Sequence, residues 1–254
     1  MKVTFLGTGT SQGVPVIACN CRVCRSTDAK DKRLRSSVLI EDEHTTVVID
    51  SGPDFRQQLL REKTQRLHAV VFTHGHKDHT AGMDDVRAFN YKQQRAMDIY
   101  ANVHTQEILR REFAYVFGER NYPGLPDLVL HTIKPNEAFT VNTLTFHPIE
   151  VMHYKLPVLG FRVGDFTYIT DANFIPEKSK ATIKGSKAVV LNALRRDAHI
   201  SHFTLHQAVD MANELKAANT FFTHMSHQMG LHAELAAELP PHIQPAYDGL
   251  QIEL

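Results

Sequence analysis

The sequence has no tryptophan, only three cysteines and no surplus of charge of either sign. Lys and Arg together number 28, as do Asp and Glu, so no overall basic field favours nucleic acid. No apolar run approaches the ~20 residues that a transmembrane helix needs. The first residues, MKVTFLGTGTSQGVPV, predict a strand and a glycine-rich turn rather than a secretion signal. We therefore expect a cytoplasmic protein without a membrane partner.

The three cysteines lie close together, in the stretch ACNCRVCR (18–25). An odd number does not pair into disulfides, and an iron–sulfur cluster usually needs four cysteines. In a reducing compartment, close-set thiols hold metal more often than they form disulfides. Three thiolates with one further donor would make a closed tetrahedral zinc site, whereas the alternative is a set of inert buried thiols. The cysteines are Cys19, Cys21 and Cys24.

Short apolar, β-branched runs alternate with helical periodicity along the whole chain. Strands are bunched in both halves with helices between and after them, which predicts an α/β sandwich of two sheets with helices outside. The Pro- and Gly-rich segment 118–136 predicts a loop between the halves. Strands are predicted at 3–7, 37–41, 46–50, 69–74, 98–101, 144–151, 160–163, 166–171, 188–193, 220–224 and 250–254. Helices are predicted at 54–63, 104–117, 204–218 and 231–239, with Thr204 able to cap the third.

The strongest motif is THGHKDHTAG (73–82), which follows the strand-like AVVF directly. It contains an HxHxDH cluster in which two imidazoles two residues apart lie on one side of an extended chain. A turn then places the aspartate and the third histidine near the first two imidazoles. Nitrogen and carboxylate ligands together suit Zn, Mn or Fe. The cluster consists of His74, His76, Asp78 and His79.

Four ligands in one loop cannot satisfy two ions, so the motif predicts further ligands from distant parts of the chain. His153, Asp171 and His224 each follow a predicted strand. A carboxylate such as Asp171 can bridge two cations, and a metal pair can clamp a phosphoryl or acyl transition state. A single His or Asp at a strand end is more often a capping or surface residue, so the prediction depends on the whole set.

These residues resemble the metallo-β-lactamase superfamily, in particular its branch of cyclic-phosphate phosphodiesterases (PhnP-like). The resemblance covers nearly the whole chain and implies one domain (1–254), an αββα sandwich of two mixed β-sheets flanked by helices. It also implies an active site at the edge where the halves meet, and a homodimer. The matching stretches include FLGTGTSQGVP (5–15), DSGPDF (50–55), DDVRAFN (84–90), ITDAN (169–173), LRRDAHISHFTL (194–205), THMSHQ (223–228) and YDGLQI (247–252).

The resemblance assigns the ligands to two divalent ions, Zn or Mn, which would hold a hydroxide that attacks a small phosphodiester such as a ribosyl 1,2-cyclic phosphate. His74, His76 and His153 would bind the first ion. Asp78, His79 and His224 would bind the second, and Asp171 would bridge them. Asp78 is also counted as catalytic. The branch further carries a structural zinc, here expected on Cys19, Cys21, Cys24 and His227, since His224 and His227 follow one strand and can turn to different metals.

His199 and His202 lie just before the helix predicted from Thr204. At a helix N-terminus the dipole disfavours the charged imidazole, while a protonated one can serve a leaving alkoxide. The resemblance favours His202 as the catalytic acid and gives His199 a supporting role, although the residues alone do not choose between them. Either histidine could instead cap the helix or pack.

Two further side chains are assigned to the neighbourhood of the site. Asp50 ends a predicted strand and is expected to support the metal loop, because a ligating histidine generally gives its other N–H to an outer partner. Arg87 could contact a phosphate, since its planar fork matches the oxygens. The rival interpretation of Arg87 is an ordinary i,i+3 ion pair with Asp84.

Three other functions fit parts of the pattern. A tRNA 3′-processing-type nuclease would need a basic arm, and 118–136 supplies only Arg120 and Lys134, so a nucleic-acid partner is not expected. A thioesterase of the glyoxalase type would use similar metals. A metal-dependent ligand-binding protein without activity would also keep the ligands. We therefore expect a hydrolase acting on a small-molecule phosphodiester and keep these three as alternatives.

Overall fold

The computed structural model describes residues 1–118 and 124–254, so Arg120 lies outside the described residues. The strands are β1 (Lys2–Gly7), β2 (Ser37–Glu41), β3 (Thr46–Ile49), β4 (Ala69–Val71), β5 (Met97–Ala101), β6 (Leu128–Thr132), β7 (Phe139–Val141), β8 (Leu144–His153), β9 (Leu156–Val163), β10 (Phe166–Tyr168), β11 (Ala188–Asn192), β12 (Asn219–Thr223), β13 (Ile243–Pro245) and β14 (Gln251–Glu253). The α-helices are α1 (Phe55–Arg61), α2 (Lys77–Thr80), α3 (Arg87–Gln93), α4 (Val103–Glu112), α5 (Ala114–Phe117), α6 (Glu177–Ile183), α7 (Leu205–Leu215) and α8 (His232–Glu238).

The strands form two mixed sheets with the same plan. One has the order β14-β1-β2-β3-β4-β5-β6 and the other β13-β12-β11-β10-β9-β8-β7. Strands β3 to β6 run parallel, as do β10 to β13. The remaining neighbours are antiparallel. The first half of the chain thus builds the first sheet and the second half builds the second, except that the C-terminal strand β14 returns to pair with β1.

Apolar side chains on both faces of each sheet create three layers of core. Between the sheets, fully buried residues such as Phe5 and Phe161 pack in one cluster. The outer face of the first sheet packs against α3 to α5 through residues such as Leu109. The outer face of the second packs against α6 to α8 through residues such as Ala212. This is the predicted αββα sandwich, and burial on both faces explains why the parallel strands are continuously apolar.

Two local predictions were wrong. The segment 118–136 is not a loop throughout, because β6 occupies Leu128–Thr132 between prolines that suggested irregular structure. Pro cannot donate to a ladder, but it is tolerated beside an edge strand such as this one. The helix predicted over 104–117 is interrupted at Phe113, whose φ of −114° and ψ of 40° separate α4 from α5. By contrast, Thr204 caps α7 as predicted, in a capping box with Gln207.

The topology brings the predicted site residues to one edge of the sandwich. Asp50 follows β3 directly, His224 follows β12 directly, and Asp171 lies shortly after β10. The carboxyl ends of parallel strands are where ligands bind in open α/β sheets. All three residues have positive φ, at 64°, 56° and 53° respectively. Backbone strain in non-glycine residues concentrates at functional sites. None of the helices in the two described stretches has the length and apolar character that a membrane crossing requires.

Candidate metal centre

The HxHxDH loop is held against the turn that follows β3. His76 is the N-terminal cap residue of the short helix α2, which turns Asp78 and His79 back toward the strand ends. A Cβ atom on Gly52 would lie 2.1 Å from the Asp78 carbonyl oxygen, and one on Gly82 would lie 2.2 Å from the Gly52 carbonyl oxygen. Only glycine allows the two backbones to approach this closely. The DSG turn and the metal loop therefore form one rigid base for the site.

The structure brings the seven residues assigned to the two active-site ions into two groups of donor atoms. In each group the nitrogen and oxygen atoms lie within 4.8 Å of one another. Asp171 belongs to both, with Oδ1 3.1 Å from His224 Nδ1 and Oδ2 3.8 Å from His74 Nε2. Its carboxylate thus lies where a bridging ligand is expected. One group is His74, His76, His153 and Asp171, and the other is Asp78, His79, Asp171 and His224.

An unpartnered buried nitrogen shows that this donor set fits a cation. His79 Nε2 lies 3.2 Å from Asp78 Oδ2 and 3.4 Å from Asp171 Oδ1, yet it makes no hydrogen bond to any described residue. Buried polar atoms almost always have a partner. A ring nitrogen that faces two carboxylates without bonding to either is satisfied when a divalent metal lies between them.

The Asp50 carboxylate fixes the tautomers of two ligand histidines. His79 Nδ1–H donates to Asp50 Oδ2 at 2.7 Å, which leaves Nε2 free to bind metal. Thr73 Oγ1–H donates to the same oxygen at 2.8 Å, so the threonine oxygen must accept from His74 Nδ1–H at 3.0 Å. The His74 Nε2 is thereby left unprotonated as well. Asp50 thus contacts the loop that it is predicted to support, and Thr73 links it to His74; the supporting role itself stays a prediction.

Two partners of the other histidines were not found from the sequence. His153 Nδ1–H donates to the Ser201 carbonyl at 2.9 Å, and His224 Nδ1 lies 3.2 Å from Ser36 Oγ. Such outer partners orient metal-binding imidazoles. Ser201 lies between the two candidate acids and could have been noticed there. Ser36 is 188 positions from its partner and carries no signal in the sequence.

The electrostatics favour neutral imidazoles at His74 and His224 and positive charge at His79. Burial lowers the pKa of His224 to about 4 and holds the pKa of His74 well below its usual range. Burial also opposes protonation of His79, but Asp78, Asp171 and then Asp50 raise its pKa well above the ordinary value. Asp50 faces one nitrogen of the His79 ring, and Asp78 and Asp171 face the other, so the three carboxylates attract positive charge to this ring. Neutral imidazole, as at His74 and His224, is the form that binds a metal.

Of the two candidate acids, His202 reaches the shared carboxylate. Its Nε2 lies 3.2 Å from Asp171 Oδ2, and its ring stacks on His224 with centroids 5.0 Å apart. His199 lies behind it, with 3.2 Å between the two Nδ1 atoms. Burial, and then the neighbouring His202, lowers the pKa of His199. His202 therefore faces the centre, and His199 contacts it from the outer side.

Arg87 makes the ion pair that was its rival interpretation. Its Nη2 lies 3.6 Å from Asp84 Oδ2, and its Nη1 donates to the Gly124 carbonyl at 3.3 Å. The guanidinium is about half exposed. A phosphate contact by Arg87 stays a prediction, since neither of these partners belongs to the ligand groups.

The three cysteines surround a single histidine from the other end of the chain. Their Sγ atoms lie 3.3, 3.5 and 3.4 Å from His227 Nδ1, in the order Cys19, Cys21 and Cys24. A tetrahedral zinc with bonds of ~2.3 Å to sulfur and ~2.0 Å to nitrogen separates S and N by about 3.5 Å. The Cys24 backbone N–H lowers the pKa of Cys21 to about 6, whereas burial raises that of Cys24 to about 11. The set fits a closed zinc site.

Comparisons with known proteins agree with this architecture. The crystal structure of a new diphosphatase from the PhnP family superposes with a TM-score of 0.93 at 39% identity, covering 100% of this chain and 97% of that one. Zn²⁺-bound PqqB from Methylobacterium extorquens shares the fold, with a TM-score of 0.80 at 20% identity over the full length of both chains.

A curated relative from Porphyromonas gingivalis, named octanoyltransferase, is 41% identical over 253 residues, or 99% of this chain. The match covers 51% of the relative, so the chain spans about half the length of that protein. The model of the β-lactamase superfamily domain matches residues 45–225. The chain therefore belongs to the β-lactamase superfamily, where its similarity to the PhnP-family diphosphatase covers both chains almost completely.

Proposed function

We propose that this protein is a metal-dependent phosphodiesterase acting on a small phosphodiester. The observation that carries the proposal is the position of His202, whose Nε2 lies 3.2 Å from the Asp171 carboxylate shared by both ligand groups. A protonated imidazole at that point can donate to the oxygen that leaves phosphorus. The similarity to a PhnP-family diphosphatase supports chemistry at phosphorus.

The chain offers ligands for two divalent ions, Zn or Mn. His74, His76 and His153 would hold one, Asp78, His79 and His224 the other, and Asp171 would contact both. When bound, such a pair activates water and neutralises charge on a phosphoryl group. The protein contributes the fixed orientation of the imidazoles, through Asp50, Thr73 and Ser201.

The reaction forms a bond between phosphorus and a water oxygen and breaks the bond to the leaving alkoxide. The proton on His202 Nε2 passes to that alkoxide, and the proton released by water later restores the imidazole. The ring is held for this transfer by its stacking on His224 and by its contact with His199. An alkoxide is far more basic than a thiolate, whose conjugate acid has a pKa near ~8.5. An acid at this position therefore favours a phosphodiester over the thioester alternative.

The test compares substrates on the metal-loaded protein. We expect turnover of bis(p-nitrophenyl) phosphate and of a ribosyl 1,2-cyclic phosphate, with loss of both in Asp78→Ala and His153→Ala. Product from precursor tRNA alone, or from an octanoyl thioester alone, would instead support the nuclease or acyl-group alternatives. Binding without any turnover would support a ligand-binding protein.

The leaving group tests the role of His202 separately. In His202→Ala we expect retained metal and a fall in kcat of roughly 100-fold or more on the cyclic alkyl phosphate. The fall should be much smaller on bis(p-nitrophenyl) phosphate, because p-nitrophenolate leaves without a proton. His206→Ala, at a side chain that is 85% exposed, provides the matched control. An equal fall on both substrates would contradict the assignment of His202 as the acid.

We further propose that Cys19, Cys21, Cys24 and His227 hold one structural zinc. The site would join the loop after β1 to the segment after β12 and leave no position open for a substrate. A homodimer and a cytoplasmic location stay predictions from the sequence.

A further inference from the structure

A cavity of about 480 Å³ opens beside the metal centre and is lined mainly by apolar surface. Two site histidines, His76 and His153, form one wall, and Tyr154, Lys155 and Ile200 are among the residues that form the rest. Tyr154 is 49% exposed and Ile200 is 64% exposed. Exposed apolar side chains grouped beside a reactive centre mark a binding surface more often than isolated ones do.

Tyr154 is held in a conformation that its own side chain does not favour. It follows His153 in the turn between β8 and β9 and has a φ of 58°. Glycine or asparagine normally occupies such a position, and a bulky aromatic residue there is strained. The other site residues with positive φ include Asp50, Asp171 and His224. The strained tyrosine thus directly follows His153, one of the predicted metal ligands.

Asn173 joins the two sides of this cavity through hydrogen bonds to the Tyr154 turn and the Ile200 loop. Its Oδ1 accepts the Tyr154 backbone N–H at 2.7 Å, and its Nδ2 donates to the Ile200 carbonyl at 3.2 Å. Asn173 lies two residues after Asp171, the shared carboxylate. One side chain therefore joins the tyrosine turn to the Ile200 loop.

We propose that Tyr154 and Ile200 form a platform for a planar ring of the substrate, so that the preferred substrates are phosphoesters that carry a nucleobase or a similar flat heterocycle. The inference rests on the proposed phosphodiester hydrolysis for its place in catalysis. The tyrosine supplies a π-face on which a flat ring stacks, and the isoleucine supplies apolar contact. Lys155 Nζ lies over one face of the Tyr154 ring, 5.3 Å from its centroid, and would place a cation beside a phosphate-bearing ligand that stacks on the other face.

Binding decides this inference without reference to turnover. Isothermal titration of the Mn-loaded protein would compare thymidine 5′-phosphate with methyl phosphate, which share the phosphoryl group and differ in the ring. We expect the thymidine ligand to bind about 10-fold more tightly, the effect of one base stacked on an aromatic side chain. Tyr154→Ala should abolish the difference, and Tyr154→Phe should keep it. Tyr91→Ala, on α3 and 59% exposed, is the matched control and should also keep it.

Hydrolysis then distinguishes the two proposals. Thymidine 5′-(p-nitrophenyl phosphate) and methyl p-nitrophenyl phosphate release the same leaving group, and the ratio of their kcat/KM values should fall about 10-fold in Tyr154→Ala. Equal affinity of the wild-type protein for the two phosphates, or a preference that survives Tyr154→Ala, would overturn the platform. Failure to hydrolyse either ester would overturn the phosphodiesterase and leave the binding result to decide the platform.

Discussion

Asp50→Asn removes the group that sets the tautomers of two ligand histidines. The carboxylate accepts three hydrogen bonds, from His79 Nδ1, from Thr73 Oγ1 and, at 2.9 Å, from the Thr73 backbone N–H. An asparagine must turn its NH₂ group toward at least one of these donors. If it faces His79, the imidazole relieves the clash by moving its proton to Nε2, the atom that should bind metal.

Asp50 is completely buried, so its replacement should lower both the stability of the protein and its affinity for metal. One buried donor left without an acceptor costs about 1–3 kcal/mol, so the free energy of unfolding of the metal-free variant should fall by that amount and its urea midpoint should fall with it. Loss of an outer partner typically lowers metal affinity about 10- to 100-fold. Calorimetric titration of Zn or Mn into metal-stripped protein measures the second effect.

The matched control is Asp165→Asn, which removes an exposed carboxylate that pairs with Lys187 at 2.7 Å. A surface ion pair contributes about 0–1 kcal/mol, so this change should leave stability and metal affinity nearly unaltered. The tautomer argument is wrong if Asp50→Asn binds metal as tightly as the wild type. It is also wrong if both variants weaken binding equally.

Three further predictions concern the cysteine cluster around His227, the buried His232 and the close contact at Gly52. His227→Ala should lose one zinc per chain by elemental analysis and melt at a lower temperature, because a structural zinc contributes folding energy, whereas the exposed His206→Ala should keep it. Burial, and then the guanidinium of Arg33, 3.3 Å from the ring, lowers the pKa of His232 to about 4, against about 6.5 in the unfolded chain. The unfolded state therefore takes up the proton first, and stability should fall as pH drops from 6.5 to 4, by about 2 kcal/mol after solvent screening. His232→Gln should make the pH dependence of the free energy of unfolding less steep between pH 6.5 and 4, and an unchanged slope would contradict the shift. Gly52→Ala places a methyl group 2.1 Å from the Asp78 carbonyl, which should cost about 1–3 kcal/mol and weaken metal binding. A variant with wild-type affinity would show that the two loops are not rigidly packed.

The sequence predicted the framework best where one physical signal dominated. Continuous apolar runs predicted β2, β3 and β11, because strands buried on both faces need no polar alternation. The capping residue Thr204 predicted the start of α7. Edge elements were missed, since β6 and β13 are short and lie beside prolines that normally indicate loops. The break at Phe113 was missed because the apolar periodicity continues across it.

The sequence by itself determined the donor types of the site. Histidine, aspartate and cysteine are placed at strand ends and in close-set motifs, and such donors can do little together except bind metal. Only the tertiary structure decided which atom of each donor is available. Asp50, Thr73 and Ser201 choose the free nitrogen of His79, His74 and His153 through hydrogen bonds that cross the chain. The platform residue Tyr154 likewise depends on Asn173, nineteen positions away. The spacing of residues in the sequence shows which types of donor lie close together. Which atom of each donor is free to bind metal depends on hydrogen bonds that form only once the two sheets have packed.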